Sequence, residues 1–476
     1  MNHMIRTAQL LALASVTTLS MGDTLTVGPS LVDYDYITIT AAISAGVNGD
    51  VIEIAPGLYP ENLSIAGKDL TLRNAGNGTV TVFGQGLSKC LVVSGGNTDA
   101  VIEGITFSNG FSTTAGAGVS VEGGARADIT DCIIENSMNT HVGGGLYMSG
   151  GGTVSNTIIR NNTATSHGGG IYLAGSLDKV FLNCTIEGNT GLEGGGLAYA
   201  MAGDHMEMTG CRFESNTSVQ RGGGIAVLGG SSTAGIVIVS DCEFVSNRGE
   251  NAAGAVWVSD VDVFRALNSL FINNSAALDG GVTRNEQIFE AVNCTFVGNE
   301  VDADGVADSF RGARSDADTN LLNCIVVNAS STSHGGTGDL NARYSLIPEA
   351  PSGMADGNGN FNADPMFTDP GMEDYTLMAG SPAIDAGDSQ GKMGAPSIGE
   401  VFILDVLLDH AGNVRNLDDT DTPNTGVSAW ELCIDLGAYE FQPAGGSDCP
   451  ADLNNDQELD FLDISAFLSA YSNGCP

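Results

Sequence analysis

The sequence predicts an all-β chain: a right-handed parallel β-helix of about a dozen coils, followed by a small C-terminal module with a calcium loop and a helix. Three observations predict it. A repeat of about 27 residues runs between Gly104 and Asn328, three apolar rows keep step with it, and an acidic loop at 452–463 carries ligand spacing for calcium. A fixed period of this size signals a stacked solenoid. Most recurring residues are then architecture, and function is to be sought where the repeat breaks.

Each copy reads polar, Cys/Ser/Thr, x, apolar, x, x, Asn, as in DCIIEN (131–136), NCTIEGN (183–189) and NCTFVGN (293–299). The second position is Ile105, Cys132, Thr157, Cys184, Cys211, Cys242, Ser269, Cys294 and Cys324, at steps of 25 to 31 residues. An all-apolar row lies two residues later, from Phe107 to Val326, and another three residues earlier, from Ile102 to Leu321. A third strand follows a glycine cluster, as in GGGLYMSGG and GGGIYLAGS. Its alternation puts Leu146 and Met148, or Ile171 and Leu173, on one face. Three short strands per period and no helix-length segment describe a three-sided coil. Its copies stack as parallel strands about 4.8 Å apart. A propeller blade, with four strands in about 40 residues, does not fit this period.

The segment GDVIEIAPGLYPENLSIAGKDLTL (49–72) resembles the opening coils of the pectate-lyase-like β-helix superfamily. The GGG-[IL] and F-x-x-N pairs, such as Phe213/Asn216 and Phe296/Asn299, resemble polymorphic outer-membrane protein repeats. Together these cover about residues 30–340. They imply a fold and no particular chemistry, because that superfamily mixes lyases, hydrolases, esterases, adhesins and proteins without activity.

Basic residues number 17 against 57 acidic ones, a formal net charge of −40. That charge excludes nucleic acid and anionic membranes as default partners, favours divalent cations, and suits a soluble exported protein. Residues 1–22 read as a signal peptide: a short basic region, the apolar AQLLALASVTTLS and a small-residue site. No later apolar run approaches the ~18 residues that span a bilayer. The expected location is therefore secreted, extracellular or at the cell surface. Ten cysteines in an exported chain suggest disulfides, yet six share the inward parity of the apolar rows. Their row also accepts Thr157, Ser269 and Ile105, so the position wants a small buried residue, and a thiol serves as one. The pairing of Cys90 and Cys433 stays open.

After Asn328 the repeat fades. Residues 339–442 resemble the closing segment of exported bacterial β-helix proteins, through FNADPMFTDPGMEDYTLMAGSPAIDAGD (361–388) and IDLGAYEF (434–441). A cap over the open end of the coil is the expected role, since a bare end exposes core and edge groups. Asp364, Asp369, Asp385, Asp388, Asp418, Asp419 and Asp421 read first as turn aspartates and second as calcium ligands.

A linker (443–448) leads to the module at 449–476. DLNNDQELDFLD places oxygen ligands at loop positions 1, 3, 5, 9 and 12, namely Asp452, Asn454, Asp456, Asp460 and Asp463. Glu458, at position 7, offers its backbone carbonyl. The following ISAFLSAY sets Ile464, Phe467, Leu468 and Tyr471 on one helical face. The unit resembles one half of a dockerin, which implies calcium as cofactor and a cohesin-like or cell-envelope anchoring partner. Gln457 stands at position 6, where that family has Gly. Cys449 and Cys475 flank the unit and could close it as a disulfide.

Catalytic candidates are few. His167, Glu193 and Arg221 stack three residues before the last glycine of successive clusters. They read first as a surface ion-pair ladder and second as an acid–base set. Tyr147 and Tyr172 face outward on adjacent coils, as a stacked pair or a substrate-binding platform for sugar. Arg284 falls where the alternation expects an inward residue, one coil beyond Trp257, and suggests a cation–π contact. The recurrent Asn reads as a hydrogen-bonded ladder. Residues 23–338 form the helix and 339–442 its last coils and cap. The expected function is a non-catalytic surface or matrix protein that binds or adheres through a long face and is attached by its C-terminal module. The alternative is a polysaccharide lyase or glycoside hydrolase acting on extracellular polysaccharide.

Overall fold

The computed structural model describes residues 22–201, 206–229, 235–259, 263–302, 308–327, 332–347, 358–393, 401–402, 406, 408–415, 418–419, 421–427 and 433–442. The expected signal peptide, apart from its last residue, and the module at 449–476 lie outside them.

Each coil begins with a turn whose backbone must take the left-handed conformation. Asp131, Asn156, Asn183, Asp241, Asn268, Asn293 and Asn323 have φ between 46° and 54°, and Gly210 has 64°. Five residues later a second left-handed corner recurs at Asn136, Asn161, Gly188, Ser215, Ser246, Asn273 and Gly298. Asn, Asp and Gly tolerate this region better than other residues. The polar residue opening each repeat is therefore a corner, and the short strand between two corners forms one side of the coil.

Stacking these coils yields three parallel faces. The first has 13 strands, from Thr24–Val27 to Leu340–Arg343. The second has 11, from Gly57–Tyr59 to Ile325–Val327, and the third has 11, from Leu63–Ala66 to Thr332–Gly336. The chain is thus a parallel β-solenoid of about eleven turns, close to the dozen expected. An additional strip of eight strands, from Phe111–Ser112 to Glu300–Val301, lies between the second and third faces in chain order. Several of its strands have only two residues, too few to leave an alternation signal in sequence.

The core is built from like residues stacked on like. Phe213, Phe244, Phe271 and Phe296 are fully buried, with successive ring centroids 5.0, 4.7 and 4.9 Å apart. The cysteine row points inward as buried thiols, and Cys90 is likewise an unbridged buried thiol. Burial pushes the Cys132 thiol up to about 12, which makes it inert as a nucleophile. Behind this row stand buried asparagines: Asn162, Asn189, Asn216, Asn247, Asn274 and Asn299. Each of the first five donates from Nδ2 to the Oδ1 of the next, at 2.9 to 3.1 Å.

The two ends differ. The short helix Ile39–Ala45, capped by the Thr38 side chain, packs Ile39, Ala42 and Ile43 into the start of the core. At the other end Leu346 and Phe361 extend the second face by bridges from Ile325. The described residues beyond them turn back along the outer side of that face. Tyr375, Leu377, Ala383, Ile384, Leu436 and Ala438 share a core with Val245, Leu270, Ile272 and Ile325. The reason is local. Outward positions of the second face are charged in earlier coils (Glu135, Arg160, Glu187), and become apolar in these last ones.

Candidate functional site

Two rows of side chains run beside each other where the strip meets the third face. The outward row of the third face is Tyr147, Tyr172, Ala198, Ala226, Trp257, Arg284 and Arg311, each paired in register with the next. The neighbouring row ends the strip and contains His167, Glu193, Arg221, Ala252 and Asp279. The glycine cluster separates the rows, and there is no room in it for a side chain. A Cβ on Gly170 would lie 2.6 Å from the Gly196 carbonyl oxygen and 2.9 Å from Asn189 Nδ2.

Contacts cross between the rows. The Tyr147 and Tyr172 rings stack at 6.0 Å and 9°. His167 stacks on Tyr172 at 6.3 Å, and its Nδ1 lies 3.2 Å from Glu193 Oε2. That approach is not aligned as a hydrogen bond, so Nδ1 is buried without one. The Arg221 guanidinium sits 4.7 Å above the Trp257 ring. Asp279 faces two cations, Arg311 at 3.2 Å and Arg284 at 3.7 Å. By strand spacing this stripe runs about 30 Å along the solenoid.

Of the three acid–base candidates His167 and Glu193 meet, while Arg221 is the register neighbour of Glu193 and lays its guanidinium on Trp257. The tyrosines also meet, and they stack on one another. Arg284 departs from the sequence reading. It is paired with Trp257 in the outward row, while Thr283 and Asn285 on either side are fully buried. The register was misread by one because this strand buries Thr and Asn instead of apolar residues. The cation on Trp257 is Arg221. Asp279 and Arg311 were missed; the signal was their register with Ala252 and Arg284.

A second polar concavity, of about 470 Å³, lies where the C-terminal segment meets the second face. His410 Nε2 is 3.2 Å from Glu243 Oε1, and its Nδ1 is 3.0 Å from the Asn268 carbonyl oxygen. Arg212 pairs with Glu243 and with Glu373 at 3.0 Å. The His410 hydrogen bond, ahead of the opposing effect of burial, holds Glu243 below the usual carboxylate range. These residues hold the segment in place. Asp364 and Asp388 accept from backbone N–H groups two residues on, as turn aspartates do.

The calcium ligands Asp452, Asn454, Asp456, Glu458, Asp460 and Asp463, with Cys449 and Cys475, lie outside the described residues. No helix among the described residues is long and apolar enough to cross a membrane.

The family description "Right handed beta helix region" matches residues 89–276. A comparison with curated proteins finds no match. Among solved structures the chain is similar to pectate lyase Pel9A, with 15% identity over 81% of this chain and 97% of that one, at a TM-score of 0.47. A pectin methylesterase from Aspergillus niger shares 17% identity over 69% of this chain and 91% of its own, at 0.32. A rhamnogalacturonan lyase shares 11% over 73% of this chain and 91% of its own, at 0.31. Likenesses of this size carry no chemistry across.

Proposed function

We infer that the protein is an exported, non-catalytic binding scaffold that holds polysaccharide along the stripe from Tyr147 to Arg311 and is attached through its C-terminal calcium module. One observation carries the reading: the charged side chains of the stripe face their own neighbours at ion-pair or ring distance, while His167 Nδ1, Arg221 Nε, Asp279 Oδ1 and Arg284 Nε are buried without a hydrogen bond. Glu193 faces His167, Arg221 covers Trp257, and Asp279 lies between Arg284 and Arg311. A general base needs a group left to act on substrate, and a glycosidase needs two carboxyls set ~5–10 Å apart across a sugar. A binding face needs the opposite: preorganised rings and polar groups repeated at the coil spacing, which a long repetitive polymer can follow. The strongly acidic whole, at −40, favours neutral chains over polyuronates unless calcium bridges them.

The test is affinity electrophoresis of the full chain through a panel of polysaccharides, with a parallel turnover screen, each with and without calcium. Retardation in at least one neutral polysaccharide, reduced about tenfold in affinity by Tyr172→Ala, is expected. Bond cleavage abolished by Glu193→Gln or Arg221→Ala would replace this reading with a lyase or hydrolase.

A further inference from the structure

Three stretches of the C-terminal segment, far apart in sequence, bring unlike donors to one place. A carboxylate oxygen of Asp385, a carboxylate oxygen of Asp418 and Cys433 Sγ all lie within 4.8 Å of one another. Asp385 is 1% exposed and Cys433 is 4% exposed, while Asp418 reaches the surface. The Asp385 carboxylate is held firmly on one side only. Its Oδ2 accepts the Asp419 backbone N–H at 3.1 Å, whereas Oδ1 is buried with no hydrogen-bond partner. A buried carboxylate oxygen without a donor is costly; protonation, a water or a cation relieves it, and a thiol and a second carboxylate at the same place favour the cation.

The surroundings add to that cost. Asp388, Asp419 and Asp435 are buried in the same segment. Arg415 is the one buried basic side chain among the described residues from 358 to 442, and it is turned to the carbonyls of Gly437 and Ala438 and to Glu440. The backbone also fixes the donor that matters. Asp385 has φ 52°, and its N–H and C=O are tied to Asp435 Oδ1 and to the N–H groups of Thr425 and Gly426. Its carboxylate is thus aimed before any ion arrives.

We propose that Asp385, Asp418 and Cys433 form a site for a divalent transition-metal cation of the zinc class, which clamps the C-terminal segment. The donor set decides the class. Calcium takes six to eight oxygens, and this group offers a sulfur and two carboxylates. Zinc takes mixed S and O ligands at about 2.0–2.3 Å, which sets ligand atoms about 3.5 Å apart, and three protein ligands leave the fourth position to water. On binding, the Cys433 thiol gives its proton to solvent and coordinates as thiolate. The clamp joins 381–391, 418–419 with 421–427, and 433–442, stretches with almost no regular secondary structure. This site is independent of the polysaccharide reading and of the loop at 452–463, whose ligands are all oxygens.

Cobalt(II) is the probe, because a thiolate ligand gives it a near-ultraviolet charge-transfer band that carboxylates do not. The full chain, treated with chelator and titrated with cobalt, should bind one equivalent with that band, and zinc should displace it. Cys433→Ser should abolish the band. Asp418→Asn, at an exposed position that does not burden folding, should weaken cobalt about a hundredfold. The double variant Cys449→Ser/Cys475→Ser should keep the band. Absence of the band in the parent chain overturns the proposal, as does a band that survives Cys433→Ser or an affinity unchanged in Asp418→Asn.

Discussion

The side-chain oxygen of Asn247 accepts two hydrogen bonds from Asn216 on the preceding coil, one from the backbone N–H at 3.1 Å and one from Nδ2 at 2.9 Å. Asn216 Nδ2 also donates to the Ile186 carbonyl oxygen at 2.7 Å. Asn216→Ala therefore strands the Asn189 N–H, and takes one of two acceptors from Asn189 Nδ2, which keeps the Ile159 carbonyl, and a donor from the Ile186 carbonyl. A stranded buried group costs about 1–3 kcal/mol, and the other lost bonds add to it, so a loss of about 3 kcal/mol is expected. Solenoids open locally, so amide exchange at Asn189 and Asn216 is the measurement. Asn162→Ala, at the end of the ladder, should cost less. Equal exchange in both variants would show that the ladder is not cooperative.

The glycines beside the ladder follow from it. With the Gly196 carbonyl 2.6 Å and Asn189 Nδ2 2.9 Å from where a Cβ would stand, Gly170→Ala pushes adjacent coils apart. A cost of about 1–3 kcal/mol is expected, as for other overpacked sites. The same change at Gly86, where nothing lies within 4 Å, meets only its φ of 66°. Its cost should stay near ~1 kcal/mol. Denaturation midpoints of the two variants decide whether close stacking or backbone conformation fixes the glycine pattern.

Arg265 and Glu290 form an ion pair with both side chains 3% exposed. Burial, partly offset by Arg265, raises the Glu290 pKa. Removing one partner leaves the other buried and charged, which costs about 3–5 kcal/mol, whereas replacing both by apolar groups of similar size is often neutral. Arg265→Met should lower stability by that amount, and Arg265→Met/Glu290→Leu should recover most of it. A double variant no better than the single would assign the loss to other contacts of Arg265.

How much of this was legible in sequence follows from which features repeat. The inward rows, the mostly thiol row and the asparagine ladder recur at fixed positions over successive coils, so alternation and period exposed them. Arg284 was placed on the wrong side because its neighbours Thr283 and Asn285 are polar yet buried, which hides the parity of the strand. The packing of the C-terminal segment on the flank of the last coils was not legible beside the expected cap. Its only trace is the change of outward residues from Glu187 and Arg212 to Leu270, Ile272 and Ile325. Asp385 and Asp418 read from sequence only as two of seven aspartates with a second reading as calcium ligands, and nothing joined Cys433 to them, since no spacing rule links three loops. The stripe was half legible: His167, Glu193 and Arg221 share a register position, but their pairing with Tyr172 and Trp257 depends on the width of the glycine corner.

The contact of His410 with Glu243 makes docking of the C-terminal segment dependent on pH. The Glu243 pKa is lowered on folding, so its contribution is present above about 4.5, the ordinary value, and is lost as pH falls through the folded value. Arg212, Asp241, Asp409 and Tyr439 also face this group; Asp241 is shifted upward by burial and acts in the opposite sense. A comparison with Glu243→Gln isolates the effect. With Glu243 28% exposed, the variant should lose about 1 kcal/mol of docking at neutral pH, and the difference should shrink as pH falls through the folded value. The rate of proteolysis within 358–442 reads this directly. A difference independent of pH would mean that Glu243 acts by packing and not by charge.

The proposed attachment through the C-terminus rests on the loop from Asp452 to Asp463. The carboxylates of Asp452, Asp456, Asp460 and Asp463 repel one another at short range unless a cation sits among them. A segment of this size has too little apolar surface to fold unaided, and it needs a metal or a disulfide. Calcium should therefore order 449–475, and the helix from Ile464 to Tyr471 should melt on chelation once the Cys449 and Cys475 thiols are reduced. A disulfide closing this loop would contribute roughly 3 kcal/mol, so chelation alone should leave part of the helix in place. Calorimetry and circular dichroism of the full chain against a truncation at 442 measure the binding heat and the helix signal. Asp452→Ala/Asp463→Ala should remove both. Because zinc-class ions at Asp385, Asp418 and Cys433 would persist in the truncation, loss of calcium heat without loss of the cobalt band separates the two sites. No calcium heat at millimolar concentration would leave an acidic tail and remove the physical basis for attachment.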